Sequence, residues 1–71
     1  MNIHEQQKLT FYERFVLAAI RQGYETPYRI QYRTTIDKHD VGEAIASLAN
    51  KGLIRQQKID YRKWELCNEA K

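Results

Sequence analysis

The sequence predicts a mainly α-helical fold with a small β-hairpin, in which three helices precede two antiparallel strands. Three observations support this prediction. Three segments with apolar residues at helical spacing each carry a start signal and a stop signal. Between Ile30 and Ile54 the spacing of the apolar residues indicates a short helix, a tight turn, a long helix and the start of a strand, in that order. After Gly52 the apolar period changes to two, which is typical of strands.

The first helix is predicted over about residues 11–22. Thr10 and Glu13 have the spacing of a capping box, in which each side chain satisfies a backbone amide of the other residue. A broad apolar stripe follows at helical spacing as far as Ile20. Gly23 is suited to the left-handed conformation that ends a helix.

The second helix is predicted to be short, over about residues 27–33. Thr26 is a suitable N-cap, and Pro27 fits the first helical position because its missing N–H has no intrahelical partner there. The β-branched residues Thr34, Thr35 and Ile36 favour a turn after it.

The third helix is predicted over about residues 38–51. Asp37 is its N-cap, Asp40 complements the helix dipole in the first turn, and Gly52 ends the helix. One buried stripe at spacing i, i+3, i+4 and i+7 is formed by Val41, Ala44, Ile45 and Leu48.

The hairpin is predicted to join about residues 53–59 to 63–67. Trp64 and Leu66 share one face of the second strand and are expected to pack on the helices together with Ile54. A two-stranded hairpin alone is marginally stable in water, so this one must pack against the helical core.

The composition is that of one small folded domain: 71 residues, 42% apolar and 30% charged. We expect a flexible segment over residues 1–9, the folded domain over 10–67 and a tail over 68–71. The net charge of +3 is unevenly distributed, because residues 37–50 hold one basic and three acidic side chains whereas 51–71 hold six basic and three acidic. The positive C-terminal part fits an anionic partner, and it equally fits an ordinary solvated surface.

Several functional classes find no support in the sequence. There is no apolar run of the ~20 residues that a membrane span needs, and the N-terminal residues lack the layout of a signal peptide. Cys67 is the only cysteine, which favours a cytoplasmic location. His4 and His39 do not stand at metal-ligand spacing from it. Without a nucleophile beside a base, a phosphate-binding glycine loop or paired carboxylates beyond the caps, we predict no enzyme, metal or cofactor.

The apolar positions after the first helix follow a known pattern. Ile30 stands where an apolar residue anchors the second helix, and Ile36 stands where an apolar residue closes the turn. The buried face and exit of the long helix are matched by Val41, Ile45, Leu48 and Gly52-Leu53-Ile54. In these residues the chain resembles the winged helix-turn-helix superfamily of bacterial transcriptional regulators, as in MarR-like and PadR-like repressors. The resemblance covers about residues 10–66.

Three residues depart from the pattern of that superfamily. Gln31 stands at a position that is usually small, Thr34 where leucine is common, and Thr35 where the turn often has glycine. We expect these departures to shorten or displace the second helix.

The resemblance implies that the third helix enters the DNA major groove and that the hairpin, the wing of this superfamily, lies on the phosphate backbone. The expected outward face of the helix carries His39, Gly42, Glu43, Ala46 and Asn50. It is unusual for a DNA-reading face because an acidic residue beside phosphates lowers affinity. Glycine in the middle of a helix, as at Gly42, costs about 0.5–1 kcal/mol of stability relative to alanine. Either the close approach of a partner or neutral drift explains its presence.

The leading hypothesis is therefore a small cytoplasmic regulator that binds double-stranded DNA, of the kind that phages and mobile elements carry. We expect Lys38, His39 and Asn50 nearest the bases. In this hypothesis a homodimer, formed through the first helix or the N-terminal segment, is one way for the chain to bind a two-fold site. The candidate DNA-binding residues are Arg29, Arg33, Lys38, His39, Glu43, Asn50, Arg55, Lys58, Tyr61, Arg62 and Lys63.

The alternative hypothesis is a protein-binding adaptor or inhibitor with the same fold, which would dock Gly42, Glu43 and Ala46 onto a basic partner. A further choice concerns Tyr28 and Tyr32, which are one helical turn apart. We favour support of the thin core for these two rings over a binding patch.

Overall fold

In residues 8–67, the part of the chain that a computed structural model describes, three helices precede a two-stranded antiparallel hairpin. The elements are α1 (Phe11–Arg21), α2 (Pro27–Thr34), α3 (Lys38–Asn50), β1 (Ile54–Gln56) and β2 (Trp64–Leu66). We call the hairpin with its connecting loop, residues 54–66, the wing. The predicted fold class is confirmed: a mainly helical protein with a small hairpin in a winged helix layout.

Each helix begins at its predicted cap. Thr10 Oγ1 accepts the Glu13 N–H at 3.2 Å, and Glu13 Oε1 accepts the Thr10 N–H at 2.8 Å, so the capping box is complete. The side chains of Thr26 and Asp37 accept backbone N–H groups in the first turns of α2 and α3. A cap of this kind typically stabilises a helix by about 1 kcal/mol. The predicted stops at Gly23 and Gly52 also form, with φ of 105° and 78°.

The turn between α2 and α3 is closed by two threonines. Thr34 Oγ1 donates to the Ile30 carbonyl at 2.7 Å and accepts the Ile36 N–H at 3.2 Å. Thr35 caps the helix in the left-handed conformation, with φ of 58°. The helix α2 is short, as expected, and it ends one residue beyond the predicted limit because the Thr34 hydroxyl satisfies backbone groups at the helix end.

The core lies where the three helices meet the first strand. The predicted stripe of α3 is buried, and Ile30 is the buried residue of α2. Leu9, Trp64 and Leu66 are partly buried against this core. Its buried apolar members are Val16, Ala19, Ile20, Ile30, Ile36, Val41, Ala44, Ile45, Leu48 and Ile54.

The wing has shorter strands than the predicted 53–59 and 63–67. Its register pairs Ile54 with Leu66 and Gln56 with Trp64. Isolated backbone hydrogen bonds continue the pairing by one step at each end, from Cys67 N–H to the Leu53 carbonyl and from Gln57 N–H to the Lys63 carbonyl. Beyond these bonds the chain opens into a loop, and Ile59, which the apolar period places in the first strand, is 89% exposed.

The wing is fastened to the helices by a contact that the sequence pattern does not predict. The Trp64 N–H donates to the carbonyl of Glu25, in the connection between α1 and α2, at 2.8 Å. The other edge of β2 thus has a backbone partner, in addition to the packing of Trp64 on the core. This bond helps to fix the position of the wing relative to α1 and α2.

A buried carboxylate joins the start of α1 to the end of α3. Glu13 is 3% exposed and accepts hydrogen bonds from Thr10 N–H, from Ser47 Oγ and from Lys51 Nζ, the last at 2.8 Å. Burial alone would raise the pKa of Glu13, but these hydrogen bonds together lower it from 4.5 to about 2. Lys51 Nζ also donates to the Lys8 carbonyl at 2.9 Å.

The hydrogen bond from Lys51 to the Lys8 carbonyl attaches part of the predicted N-terminal segment to the helices. Lys8 is bonded to Lys51 at the end of α3, and Leu9 packs on the core, so these two residues join the folded domain. The rest of the predicted flexible segment, residues 1–7, and the predicted tail, residues 68–71, lie outside the described residues.

Candidate nucleic-acid interface

The outward face of α3 is the first part of the candidate site. The structure places His39, Gly42, Glu43, Ala46 and Asn50 at exposed positions, as the helical spacing predicts. Four of these five residues line one shallow surface depression together with Lys38. We call this depression the α3 hollow, and its lining residues are Lys38, His39, Gly42, Glu43 and Ala46. Asn50 is the last residue of the helix, about 16 Å along the axis from His39 at 1.5 Å per residue. It therefore does not belong to the same small site as the start of the helix.

The charge of the α3 hollow is mixed. His39 Nε2 lies 3.2 Å from Glu43 Oε2, and both side chains are more than 70% exposed. When His39 is protonated, this i, i+4 pair offsets the charge of Glu43 within the helix. Lys38 adds a cation at the rim.

Three side chains at the start of α3 lie close enough together to be considered as ligands of one metal ion. Potential ligand atoms of His39, Asp40 and Glu43 all lie within 4.8 Å of one another. The sequence pattern does not predict this group of three residues, although the i, i+4 spacing of His39 and Glu43 is a signal for it. The His39–Glu43 pair and the place of Asp40 in the first turn account for all three residues, so we assign no metal here.

The wing holds four cations, two of which are paired with acidic side chains. Arg55 Nε lies 2.8 Å from Glu65 Oε2 across the strands. Arg62 donates to both carboxylate oxygens of Asp60, from Nε at 3.2 Å and from Nη2 at 3.3 Å. These bonds lower the pKa of Asp60 and raise the pKa of Arg62.

The two lysines of the wing differ from its arginines. Within residues 8–67, Lys58 and Lys63 make no salt bridge, and both are exposed. They are therefore the wing cations that a phosphate can contact without displacing a partner. Tyr61, at the tip, is 73% exposed.

The structure separates the two candidate arginines of α2. Arg33 Nε donates to Gln22 Oε1 at 3.3 Å, and its guanidinium lies 5.7 Å from the centre of the Tyr24 ring. Its side chain also lines a pocket beside Phe15 on α1. Arg33 therefore contacts the end of α1 while its side chain stays exposed, and Arg29 is also exposed. The sequence spacing alone places the two on one side of the helix.

A cleft of about 580 Å³ brings together the start of α2, the start of α3 and the wing. Lys38 lines both this cleft and the α3 hollow, so the two form one continuous surface. The residues that line the cleft are Thr26, Pro27, Tyr28, Gln31, Lys38, Asp60, Arg62 and Lys63.

The tyrosines of α2 lie on this surface instead of in the core. Tyr28 and Tyr32 are each 79% exposed, so the predicted support of the core is wrong. The reason is geometric: Ile30 faces the core, and residues two positions away on either side point to the opposite face of an α-helix. That spacing is visible in the sequence. Tyr28 lines the cleft, and both rings line an adjoining hollow next to Ile36 and the start of α3.

No protein-family model matches the chain, and no curated protein matches it. The three helices, the hairpin and their connections are consistent with a winged helix layout. Within residues 8–67, no helix is both long enough and apolar enough to cross a membrane.

Proposed function

We propose that the protein binds double-stranded DNA as a small cytoplasmic transcriptional regulator related to the MarR-like and PadR-like winged helix-turn-helix repressors. In this proposal the start of α3 enters the major groove and the wing lies on the phosphate backbone. One observation carries it: Lys38 joins the α3 hollow to a cleft that also holds Arg62 and Lys63 of the wing. A cationic surface thus runs from the candidate recognition helix to the candidate phosphate contact.

The electrostatics of this surface support the proposal. Lys58 and Lys63 are exposed and can neutralise phosphates directly, which releases counterions from the DNA. Arg62 pairs with Asp60, but the arginine side chain is 85% exposed, and an exposed pair of this kind contributes little stability. Arg62 can therefore exchange that partner for a phosphate at small cost.

Glu43 has a place in this proposal beside His39. Its carboxylate can accept a hydrogen bond from a cytosine amino group, which is a known contact for an acidic side chain in the major groove. Elsewhere on DNA it repels phosphate. We therefore expect Glu43→Gln to strengthen binding to duplexes of arbitrary sequence.

The test compares two variants that lose the same charge at different places. Lys58→Gln with Lys63→Gln removes two wing cations, and Arg14→Gln with Arg21→Gln removes two exposed cations from α1. We expect the wing variant to bind any duplex more weakly and its log–log salt slope to flatten by about 0.9 for each phosphate that is no longer neutralised. The α1 variant should behave like the parent. Fluorescence anisotropy with a labelled duplex at two salt concentrations measures both quantities.

Equal weakening by the two variants would contradict a binding site on the wing, because net charge alone would then explain the effect. Circular dichroism of both variants checks that they are folded.

The α3 hollow supports a second candidate function, a protein-binding adaptor or inhibitor. Gly42 has open space where a Cβ would lie, and Glu43 and Ala46 are exposed beside it. A basic partner could approach the Glu43 carboxylate closely, because the residues beside it, Gly42 and Ala46, are small. Glu43→Arg or Ala46→Arg should then abolish partner capture, while the wing lysine variant leaves it intact. The reverse ranking favours DNA.

A further inference from the structure

We propose that the cleft between α2, α3 and the wing holds an unpaired nucleotide, with its base stacked on Tyr28 and its phosphate against Lys38 and Lys63. The preferred DNA is then a duplex that carries a short single-stranded extension. This inference rests on the proposed function, because it requires DNA to lie on the surface that joins α3 to the wing.

The exposed ring of Tyr28 offers a stacking surface in this cleft. The side chain is 79% exposed at the start of α2 and lines the cleft, so the face of the ring is not used by the core. Beneath it, Thr26 accepts the Arg29 N–H at 3.1 Å and Pro27 occupies the first turn, which together fix the backbone. An exposed aromatic side chain is a platform on which single-stranded bases stack.

The charge of the cleft suits a phosphate. Three cations and one acidic side chain line it, and the acidic one, Asp60, is occupied on both carboxylate oxygens by Arg62. Lys38 and Lys63 remain to contact a phosphate. Positive charge next to an aromatic face fits a polynucleotide, because its repeating unit offers both a phosphate and a planar base.

The size and shape of the cleft suit a single nucleotide. A volume of about 580 Å³ lies within the range of about 300–1,000 Å³ that is usual for small-ligand sites. A base within an intact duplex is stacked on both faces and cannot enter the cleft, whereas an unpaired base can. The Gln31 side chain, which also lines the cleft, carries a donor and an acceptor that suit the edge of such a base.

The experiment uses three labelled DNAs that share one duplex and differ at its ends. The first is blunt, the second carries three unpaired nucleotides at one end, and the third carries the same extension with abasic sites. The second and third have the same phosphates, so their comparison isolates the base. In anisotropy titrations with the full chain, we expect the base-bearing extension to bind at least about fivefold more tightly than the abasic one.

Three variants locate the effect. Tyr28→Ala should reduce the ratio of the two affinities to about one, and Tyr28→Phe should retain it because the aromatic face remains. Tyr12→Ala removes an exposed tyrosine from α1, outside the cleft, and should leave the ratio unchanged. Circular dichroism checks that each variant is folded.

The possible outcomes separate this inference from the proposed function. Equal binding of the base-bearing and abasic extensions would overturn the inference while leaving duplex binding in place. A preference that survives Tyr28→Ala would also overturn it, because the base would then stack elsewhere. Failure to bind any of the three DNAs would overturn both proposals.

Discussion

At the residue scale, the buried carboxylate of Glu13 links chain segments that are distant in sequence. It accepts hydrogen bonds from the start of α1 and from Ser47 and Lys51 at the end of α3. Its pKa is about 2 in the folded protein against an ordinary value of 4.5, so the folded state favours the ionised form. The stability from this preference is fully present above about pH 4.5 and is lost as the pH falls towards 2.

The first prediction follows from that linkage. Glu13→Gln should lower the free energy of unfolding by about 2–3 kcal/mol near neutral pH, because it removes the charge and leaves Lys51 without its carboxylate partner. The difference from the parent should shrink as the pH falls from 4.5 towards 2. Urea unfolding at several pH values measures it. Glu43→Gln, at a side chain that is 71% exposed, is the control and should change stability little. A constant difference across this pH range would contradict the proposed linkage.

The second prediction concerns Thr35, which has a φ of 58°. The left-handed conformation costs a non-glycine residue about 1–2 kcal/mol, and glycine adopts it without that cost. Glycine also loses more backbone entropy than threonine on folding, which offsets part of this gain. Thr35→Gly should therefore raise the free energy of unfolding by about 0.5–1 kcal/mol. Thr34→Gly should have the opposite sign, because the Thr34 hydroxyl closes the turn. Thermal and urea unfolding of the two variants give the comparison, and equal signs would disprove this assignment of strain.

The residue-scale features differ in how far the sequence predicts them. The caps at Thr10, Thr26 and Asp37 are local, since each side chain bonds to a backbone group two or three residues away, and the sequence predicts all three. The bonds of Glu13 to Ser47 and Lys51 span more than 30 residues and are set by tertiary packing. The same residue therefore has one role that local spacing predicts and one that it does not.

At the element scale, α3 combines a strongly buried stripe with a weak point on its outer face. Val41, Ala44, Ile45 and Leu48 are buried as predicted, while Gly42 lies mid-helix with open space, to a distance of 4 Å, around the position that a Cβ would take. No contact within the described part of the chain therefore requires glycine there.

The third prediction uses that open space. Gly42→Ala should raise the free energy of unfolding by about 0.5–1 kcal/mol, because alanine loses less backbone entropy in a helix and meets no neighbouring atom. Ala46→Gly, one turn later on the same exposed face, is the reciprocal control and should lower stability by a similar amount. Urea unfolding tests both. A Gly42→Ala variant less stable than the parent would contradict the helical geometry of this face.

The wing illustrates the limit of strand prediction from periodicity. The first strand is predicted to extend to Ile59, but the chain leaves the ladder after Gln57. Asp60 accounts for the early departure: its carbonyl accepts the Lys63 N–H at 2.9 Å and its carboxylate accepts the Arg62 N–H at 3.0 Å. These bonds form a local turn that competes with strand pairing. The sequence thus predicts the existence of the hairpin better than its length.

At the scale of the whole molecule, local signals and tertiary structure agree on the fold. Start and stop signals, apolar stripes and the change of period all indicate the same order of elements, and this consistency is why the fold class could be predicted. The candidate site is different, because a set of cations in the sequence does not show which are paired. Arg33 contacts the end of α1 and Arg55 is bonded to Glu65, facts that depend on contacts across the fold.

Those contacts concentrate the candidate site on a smaller set of residues than the sequence suggests. Lys38 and Lys63 line the cleft, and Lys58 is exposed in the wing loop. Arg62 also lines the cleft with an exposed side chain, and Arg29 is exposed on α2. We therefore expect about three to five phosphate contacts, fewer than the full set of basic residues would provide.

The salt dependence of duplex binding by the unmodified protein tests the central claim most directly. Anisotropy titrations of one labelled duplex between about 50 and 200 mM salt should give a log–log slope of roughly −2.7 to −4.5, as about three to five phosphate contacts imply. Absence of measurable binding at the lowest salt, where electrostatic attraction is strongest, would contradict DNA binding by this surface.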